Sequence, residues 1–197
     1  MTKVYADITM SLDGFITEPN VPVGNPLGDD PGRLHDWMFG QRTDADAEVR
    51  DELYARSGAV VIGRRMFDVG VEPWGDPPPF GMPVFVVTRE RRDPMPMQGG
   101  TTYSFVTEGI DAALEQARAA AGGKDVGIWG GGRMISGALK AGLLDEIQIH
   151  LVPLLLGDGR RLFVDVDDRR IELERTRTIE TASATHLTFR VTSRAAA

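Results

Sequence analysis

The sequence predicts an α/β protein with a mainly parallel central sheet, helices on both faces and an antiparallel C-terminal edge. Three observations carry this. The runs Ala59–Ile62 and Val84–Val87 are apolar throughout, as strands covered on both sides are. Helical periodicities stand between such runs: Ala45, Val49 and Leu53, and later Leu114 and Ala117. Two alternating stretches near the end, Ile171–Glu174 and Leu187–Val191, suit an antiparallel pair at a sheet edge. Strands that alternate with helices over most of a chain give a parallel sheet with two helical layers.

The elements follow in order. Val4–Met10 reads as a buried strand, broken by the Asp13-Gly14 turn signal. Glu18–Gly32 has no periodicity and is rich in Pro, Gly, Asn and Asp, the composition of a long functional or mobile loop. His35–Phe39 is a short apolar island, either one helical turn or a lid contact. Thr43 is a candidate N-cap, with Asp44, Asp46 and Glu48 in the first turns of a helix that runs to about Arg56. After the strand Ala59–Ile62, Gly63-Arg64-Arg65 opens another helix. Trp74–Pro83 is a Pro-rich loop, Val84–Val87 a strand ending at Thr88-Arg89, and Arg91–Gly100 is irregular. Thr102–Val106 suits a short strand. Ile110–Ala121 is helical and closed by Gly122-Gly123. A strand, three glycines and a helix to about Ala141 follow. Glu146–Val152 alternates as a strand, and Pro153 ends its ladder.

Composition narrows the function. A chain of 197 residues suits one domain, here residues 1–194 ahead of a loose alanine tail. The net charge is −7 and no long basic block occurs, which argues against nucleic acid as a partner. No apolar run approaches the roughly 20 residues needed to span a bilayer. The N-terminus enters a strand pattern directly, unlike a signal peptide, and with no cysteine in the chain a cytoplasmic setting is the default expectation. There is no cysteine, and the three histidines have no metal-ligand spacing, so no metal site is expected.

The chemistry centres on Asp125–Leu139. An apolar strand stops at Gly130, Gly131 and Gly132, and a helical pattern starts at once. Glycines permit positive φ and close approach of a ligand, and a helix start offers free N–H groups to an anion. The plain alternative is a turn that only joins strand to helix. The segment lacks the third glycine of a dinucleotide fingerprint and the Gly-Lys-Ser/Thr of a P-loop. Support comes from the other strand ends. Gly63-Arg64-Arg65, Thr88-Arg89 and Arg133 all fall at the carboxyl edge, where open α/β sheets bind ligands. Guanidinium groups match phosphate geometry.

Taken with Ser11–Ile16, Val61–Arg65, Trp129–Gly132, Leu144–Ile147 and Pro153–Gly159, this order of motifs resembles the dihydrofolate reductase-like superfamily. The resemblance is to single-domain relatives of the reductase half of the bifunctional riboflavin-biosynthesis deaminase–reductase, and it covers about Val4 to Val191. It implies a three-layer dihydrofolate reductase-like fold, NADPH as hydride donor, a small-molecule substrate and a homodimer. Carried over, Thr9 and Ile16 lie beside the nicotinamide. Gly63, Arg64 and Arg65 approach the phosphates. Thr88 and Arg89 border the adenosine end, and Gly130, Gly131, Gly132, Arg133, Met134 and Ile135 cradle the pyrophosphate. Asp13 and Gly14 shape the loop over the nicotinamide.

Two departures stand out. Met66 replaces the threonine usual at that helix start. No position matches the substrate-side carboxylate of dihydrofolate reductases cleanly. The candidate acids are Asp13, Asp46 and Glu48, although the ordinary reading of Asp44, Asp46 and Glu48 is favourable charge at a helix N-terminus. Asp7 either faces the site or is a satisfied buried acid; His35, Asp36 and Trp37 either line a substrate pocket or pack a loop. The implied activity is an NADPH-dependent reduction of a pterin-like or ribosylaminopyrimidine-like compound. The alternative is a nucleotide-binding or interaction module without turnover.

Overall fold

The structure, a computed structural model, describes residues 2–25, 31–40, 42–164 and 170–192. In chain order the elements are β1 (Val4–Ser11), β2 (Phe15–Thr17), α1 (Pro31–Phe39), α2 (Asp44–Arg56), β3 (Ser57–Gly63), α3 (Arg64–Trp74), β4 (Val84–Val87), β5 (Met95–Pro96), β6 (Thr102–Val106), α4 (Ile110–Ala120), β7 (Asp125–Trp129), α5 (Gly132–Lys140), β8 (Glu146–Val152), β9 (Arg160–Arg161), β10 (Leu173–Glu180) and β11 (Thr185–Val191). Nine strands form one sheet in the order β10-β11-β8-β1-β7-β3-β4-β6-β5, and β2 pairs with β9 separately. From β8 to β6 neighbours run parallel. The pairs at both ends, β8–β11–β10 and β6–β5, are antiparallel.

Alternation along β1 explains the layers. Val4 and Ala6 point into an apolar cluster with Leu114 and Ala117 of α4 and Ile135 and Leu139 of α5. Tyr5 points the other way, into a cluster with Leu53 of α2 and Phe67 of α3. A third, smaller cluster joins Leu34 and Trp37 of α1 to Val49 of α2 and Val152 of β8. Helices therefore cover both faces, as the apolar runs predict. α2 begins as the sequence suggests. The Thr43 side chain accepts from the Asp46 N–H at 3.2 Å, and the Asp46 carboxylate accepts from the Thr43 N–H at 2.8 Å.

The differences from expectation have physical reasons. The island His35–Phe39 is the latter half of a helix. β2, β5 and β9 are two or three residues long, too short for any periodicity to register. The strand expected at Ile171–Glu174 lies instead at Leu173–Glu180. It is exposed over nearly all its length, so apolar alternation carries no signal for it. Residues 26–30 of the long Glu18–Gly32 loop, and the alanine tail, lie outside the described residues.

Candidate active site

Two parallel strands, β3 and β7, lie side by side with Val61 opposite Ile128. Each leads through glycine directly into a helix. Gly63 is the N-cap of α3 and Gly131 that of α5, and neither helix start has a side-chain cap. Gly130 and Gly131 have φ of 82° and 83°, a left-handed conformation that disfavours any side chain. Two uncapped helix N-termini thus sit on adjacent strand ends, each with unsatisfied N–H groups and the positive end of a dipole. Gly132 is fixed by packing. A Cβ there would stand 2.7 Å from the Arg161 carbonyl oxygen and 3.0 Å from that of Leu162.

Charge gathers at the same place. Burial and the nearby charges of Arg65 and Arg133 hold the Arg160 guanidinium below its ordinary pKa. Arg160 of β9 therefore stands in the field of two like charges, Arg65 of α3 and Arg133 of α5, an arrangement suited to an anion placed beside it. Arg65 also donates to the Val21 carbonyl at 2.9 Å. Arg64 is committed elsewhere: its Nε lies 2.7 Å from Asp68 and its Nη1 2.8 Å from Glu90. Thr88 is buried and its hydroxyl accepts from Arg64 and from the Glu90 N–H, whereas Arg89 is exposed. Ile135 packs in the core, and its N–H is used by the Gly131 carbonyl. Two thioethers roof the glycines. A Cβ on Gly130 would lie 2.7 Å from Met66 Sδ, and one on Gly63 would lie 3.1 Å from Met134 Cγ.

The Asp13-Gly14 loop is tied down at several points. Asp13 accepts from Ser11 Oγ at 2.6 Å, from the Gly157 N–H at 2.7 Å and from the Leu156 N–H at 3.2 Å. The Ser11 hydroxyl leads these bonds in holding the carboxyl below its usual range. Arg161 donates to the Asp13 carbonyl at 3.0 Å and lies over the Phe15 ring at 4.4 Å. Asp13 thus clamps its own loop to the Leu156-Gly157 turn. Beside this loop a cavity of about 240 Å³ opens, with Thr17, Glu18, Arg33, Leu34, His35 and Leu154–Leu156 on its wall.

The other two candidate acids separate. Glu48 is exposed on α2, with Arg177 in its field. Asp46 is fully buried. It accepts from Thr43 on both its N–H and its hydroxyl, from Thr181 Oγ1 at 2.8 Å, and shares a 2.9 Å contact with His186 Nε2. Burial works against ionisation, but these bonds outweigh it and hold the carboxyl at about 2. A carboxylate so enclosed cannot itself touch a substrate. His186 Nδ1 faces His150 Nδ1 at 2.7 Å, and His150 Nε2 faces Asp7 at 2.9 Å. Asp7 is paired with His150 and buried apart from the 8% of its side chain that stays exposed. Trp37 donates to Thr9 Oγ1 at 3.0 Å and lays its ring 3.9 Å from that of His150.

The model of the RibD C-terminal domain matches residues 2–187. The chain belongs to that family. It is similar to the Uncharacterized protein YyaP of Bacillus subtilis (strain 168), with 24% identity over 183 residues, 89% of this chain and 88% of that one. Among solved structures it is similar to a putative riboflavin biosynthesis protein from Shewanella sp. PV-4, with TM-score 0.71 and 22% identity over 98% of this chain and all of that one. It is also similar to the dihydrofolate reductase of Enterococcus faecalis complexed with NADP(H) and RAB-propyl, with TM-score 0.57 and 15% identity over 97% of both chains. The fold is therefore dihydrofolate reductase-like.

Within this RibD C-terminal fold, sequence reasoning missed Arg160, His150 and His186. Arg160 lies in a two-residue strand that no pattern announces, although Gly157 and Gly159 mark a turn just ahead of it. His150 and His186 are far apart in the chain and meet only because β8 and β11 pair with these two residues opposite each other.

Proposed function

We propose that this RibD C-terminal-type chain is an NADPH-dependent reductase that passes a hydride to a small heterocyclic or sugar-derived compound, pterin-like or ribosylaminopyrimidine-like. The observation that carries this reading is Arg160, repelled by Arg65 and Arg133, beside two uncapped, glycine-led helix starts. Those residues fit a dinucleotide diphosphate: its charge relieves the repulsion, and the orphan N–H groups gain acceptors. Gly130, Gly131 and Gly132 would hold the pyrophosphate with Arg65, Arg133 and Arg160. Thr9 and Ile16 would flank the nicotinamide, and Thr88 and Arg89 the adenosine end. When bound, the reduced nicotinamide supplies a hydride to an electrophilic carbon. The protein's own part is to orient the partners, to exclude water with the Asp13-clamped loop, and to supply a proton. The cavity beside Thr17 and His35 is the entry for the substrate. We further assign a cytoplasmic homodimer, with exposed Leu155 in the apolar Leu151–Leu156 run as a contact point.

Titration with NADPH, followed by nicotinamide fluorescence, tests the reading. Saturable binding at micromolar cofactor is expected, and no binding at roughly millimolar cofactor refutes it. The enclosure of Asp46 favours a second reading, cofactor binding without turnover. It predicts no oxidation of bound NADPH across a panel of pterins, pyrimidines and carbonyl compounds.

A further inference from the structure

Asp7 of β1, His150 of β8, His186 of β11 and Asp46 of α2 make an unbroken line from the sheet to the helix that covers it. Its three contacts are 2.9, 2.7 and 2.9 Å long. Each contact at this length needs one hydrogen between its two heavy atoms. Two neutral imidazoles carry two hydrogens in all. If both sit on Nε2 and point at the carboxylates, the two Nδ1 atoms face each other as bare lone pairs at 2.7 Å. If one moves to Nδ1, a carboxylate is left facing a bare Nε2. Only a third proton satisfies the line. Asp46, held at about 2, does not keep that proton, which leaves it to the two imidazoles and Asp7.

We propose that these four side chains are one proton-sharing chain that holds three protons at neutral pH, one more than two neutral histidines, and that exchanges the third through Asp7 as the proton source of the reduction. The outlet follows from burial. Side-chain exposure is 8% at Asp7, 0% at His150, 3% at His186 and 0% at Asp46. Position agrees. Asp7 pairs in register with Trp129, the residue before the glycine turn. Trp37 shields the middle of the chain from water. Its ring lies 3.9 Å from that of His150, tilted, and 5.0 Å from that of His186 in a T-shaped arrangement.

Other groups face the chain. Tyr5 of β1 and Tyr54 of α2 lie in the field of Asp7, and His35 of α1 lies in that of His150. Thr43 and Thr181 bind Asp46. Burial, with the neighbouring His150, pushes His35 down to about 4, so His35 adds no competing charge at neutral pH. Burial holds His186 below the ordinary histidine range and outweighs the Asp46 hydrogen bond that favours its charged form, so the third proton rests on the short Nδ1–Nδ1 contact rather than on His186 as a separate base.

The delivery half of this proposal rests on the reductase reading. The electrophilic carbon gains an electron pair and a hydrogen as hydride, and the freed electron pair of the substrate's double bond takes one proton. That proton leaves the chain at Asp7, the chain falls from three protons to two, and water at Asp7 restores the third. The test is nuclear magnetic resonance of full-length protein labelled with ¹⁵N-histidine, without added cofactor. A single far-downfield proton coupled to Nδ1 of both His150 and His186 at neutral pH is the expected result. Two neutral imidazoles with no bridging proton overturn the proposal. In Asp7→Asn, whose amide oxygen still accepts from His150, exchange of the bridging proton with water should slow roughly a hundredfold. Unchanged exchange overturns Asp7 as the outlet. NADPH binding, measured separately on the same samples, reports on the reductase reading alone.

Discussion

Substitution of Arg160 by glutamine should move binding and stability in different directions. Arg160 lies in the field of two like charges, Arg65 and Arg133, and burial adds to its cost. Removing it relieves repulsion, and the backbone pairing of Arg160 with Thr17 does not involve its guanidinium. Stability should therefore stay within about 0.5 kcal/mol or rise, a change of about 2 °C or less in Tm for a chain of this size. A phosphate held among three arginines loses one charge-assisted hydrogen bond, worth about 1.5–3 kcal/mol. That is about a 10- to 150-fold rise in Kd for NADPH. The salt dependence of binding should weaken as well, because one contact fewer is screened. Fluorescence titration at two salt concentrations and a thermal melt read all three quantities. An unchanged Kd together with a fallen Tm would refute the reasoning, since it would make Arg160 a structural residue.

Four more variants probe neighbouring residues. Arg64→Gln should change the Kd for NADPH less than about threefold, because Arg64 is already bound to Asp68 and Glu90; fluorescence titration checks it. Met66→Thr lifts the thioether off Gly130 and adds a hydroxyl donor, so the same titration should show about 2- to 10-fold tighter binding. Gly132→Ala drives a Cβ to 2.7 Å from the Arg161 carbonyl, which should cost about 1–3 kcal/mol by denaturant melt and weaken cofactor binding. Asp46→Asn leaves His186, Thr181 and Thr43 facing an amide, at about 3 kcal/mol or about 6–12 °C in Tm. In the native chain the Asp46 carboxyl is depressed from 3.8 to about 2. Its stabilisation is present above the higher value and lost as pH falls toward the lower one, so acid melts of wild type and Asp46→Asn should converge over that window.

Much of this molecule was legible because its signals are local. The Thr43 cap, the apolar β3 and β4 and the glycines after β7 each lie within a few residues of the structure they cause. The sequence also marked the strand ends where Arg65 and Arg133 stand. What escaped depends on pairing between distant segments. Arg160 reaches the cluster because β9 pairs with β2, a register set by tertiary contact. The role of Asp46 as a buried hub needed His186 and Thr181, more than a hundred residues away. At the level of the helix alone it is an ordinary first-turn acid. Arg64 and Arg65 look alike in sequence, and only Asp68 on the next turn and Glu90 on another loop distinguish them.

The sheet order explains why the glycine-led helix starts and the Asp7–His150–His186–Asp46 chain lie next to each other. β1 sits between β7 and β8. The chain leaving β1 passes to α1, α2 and then β3 beyond β7, whereas the chain leaving β7 passes through α5 to β8 beyond β1. The two connections depart in opposite directions and onto opposite faces, with α2 in the Tyr5 layer and α5 in the Val4 layer. Such a divergence opens a crevice at the carboxyl ends of the two strands. On the β7 side of that crevice stand the glycines. On the β8 side His150 is fully buried behind Asp7 of β1, which has Trp129 opposite it on one side and Gln148 on the other. On the proposed reading, a ligand lying across β1 meets the arginines and glycines on one flank and the Asp7–His150 pair on the other, the negative-charge site and the proton source that a hydride reduction needs.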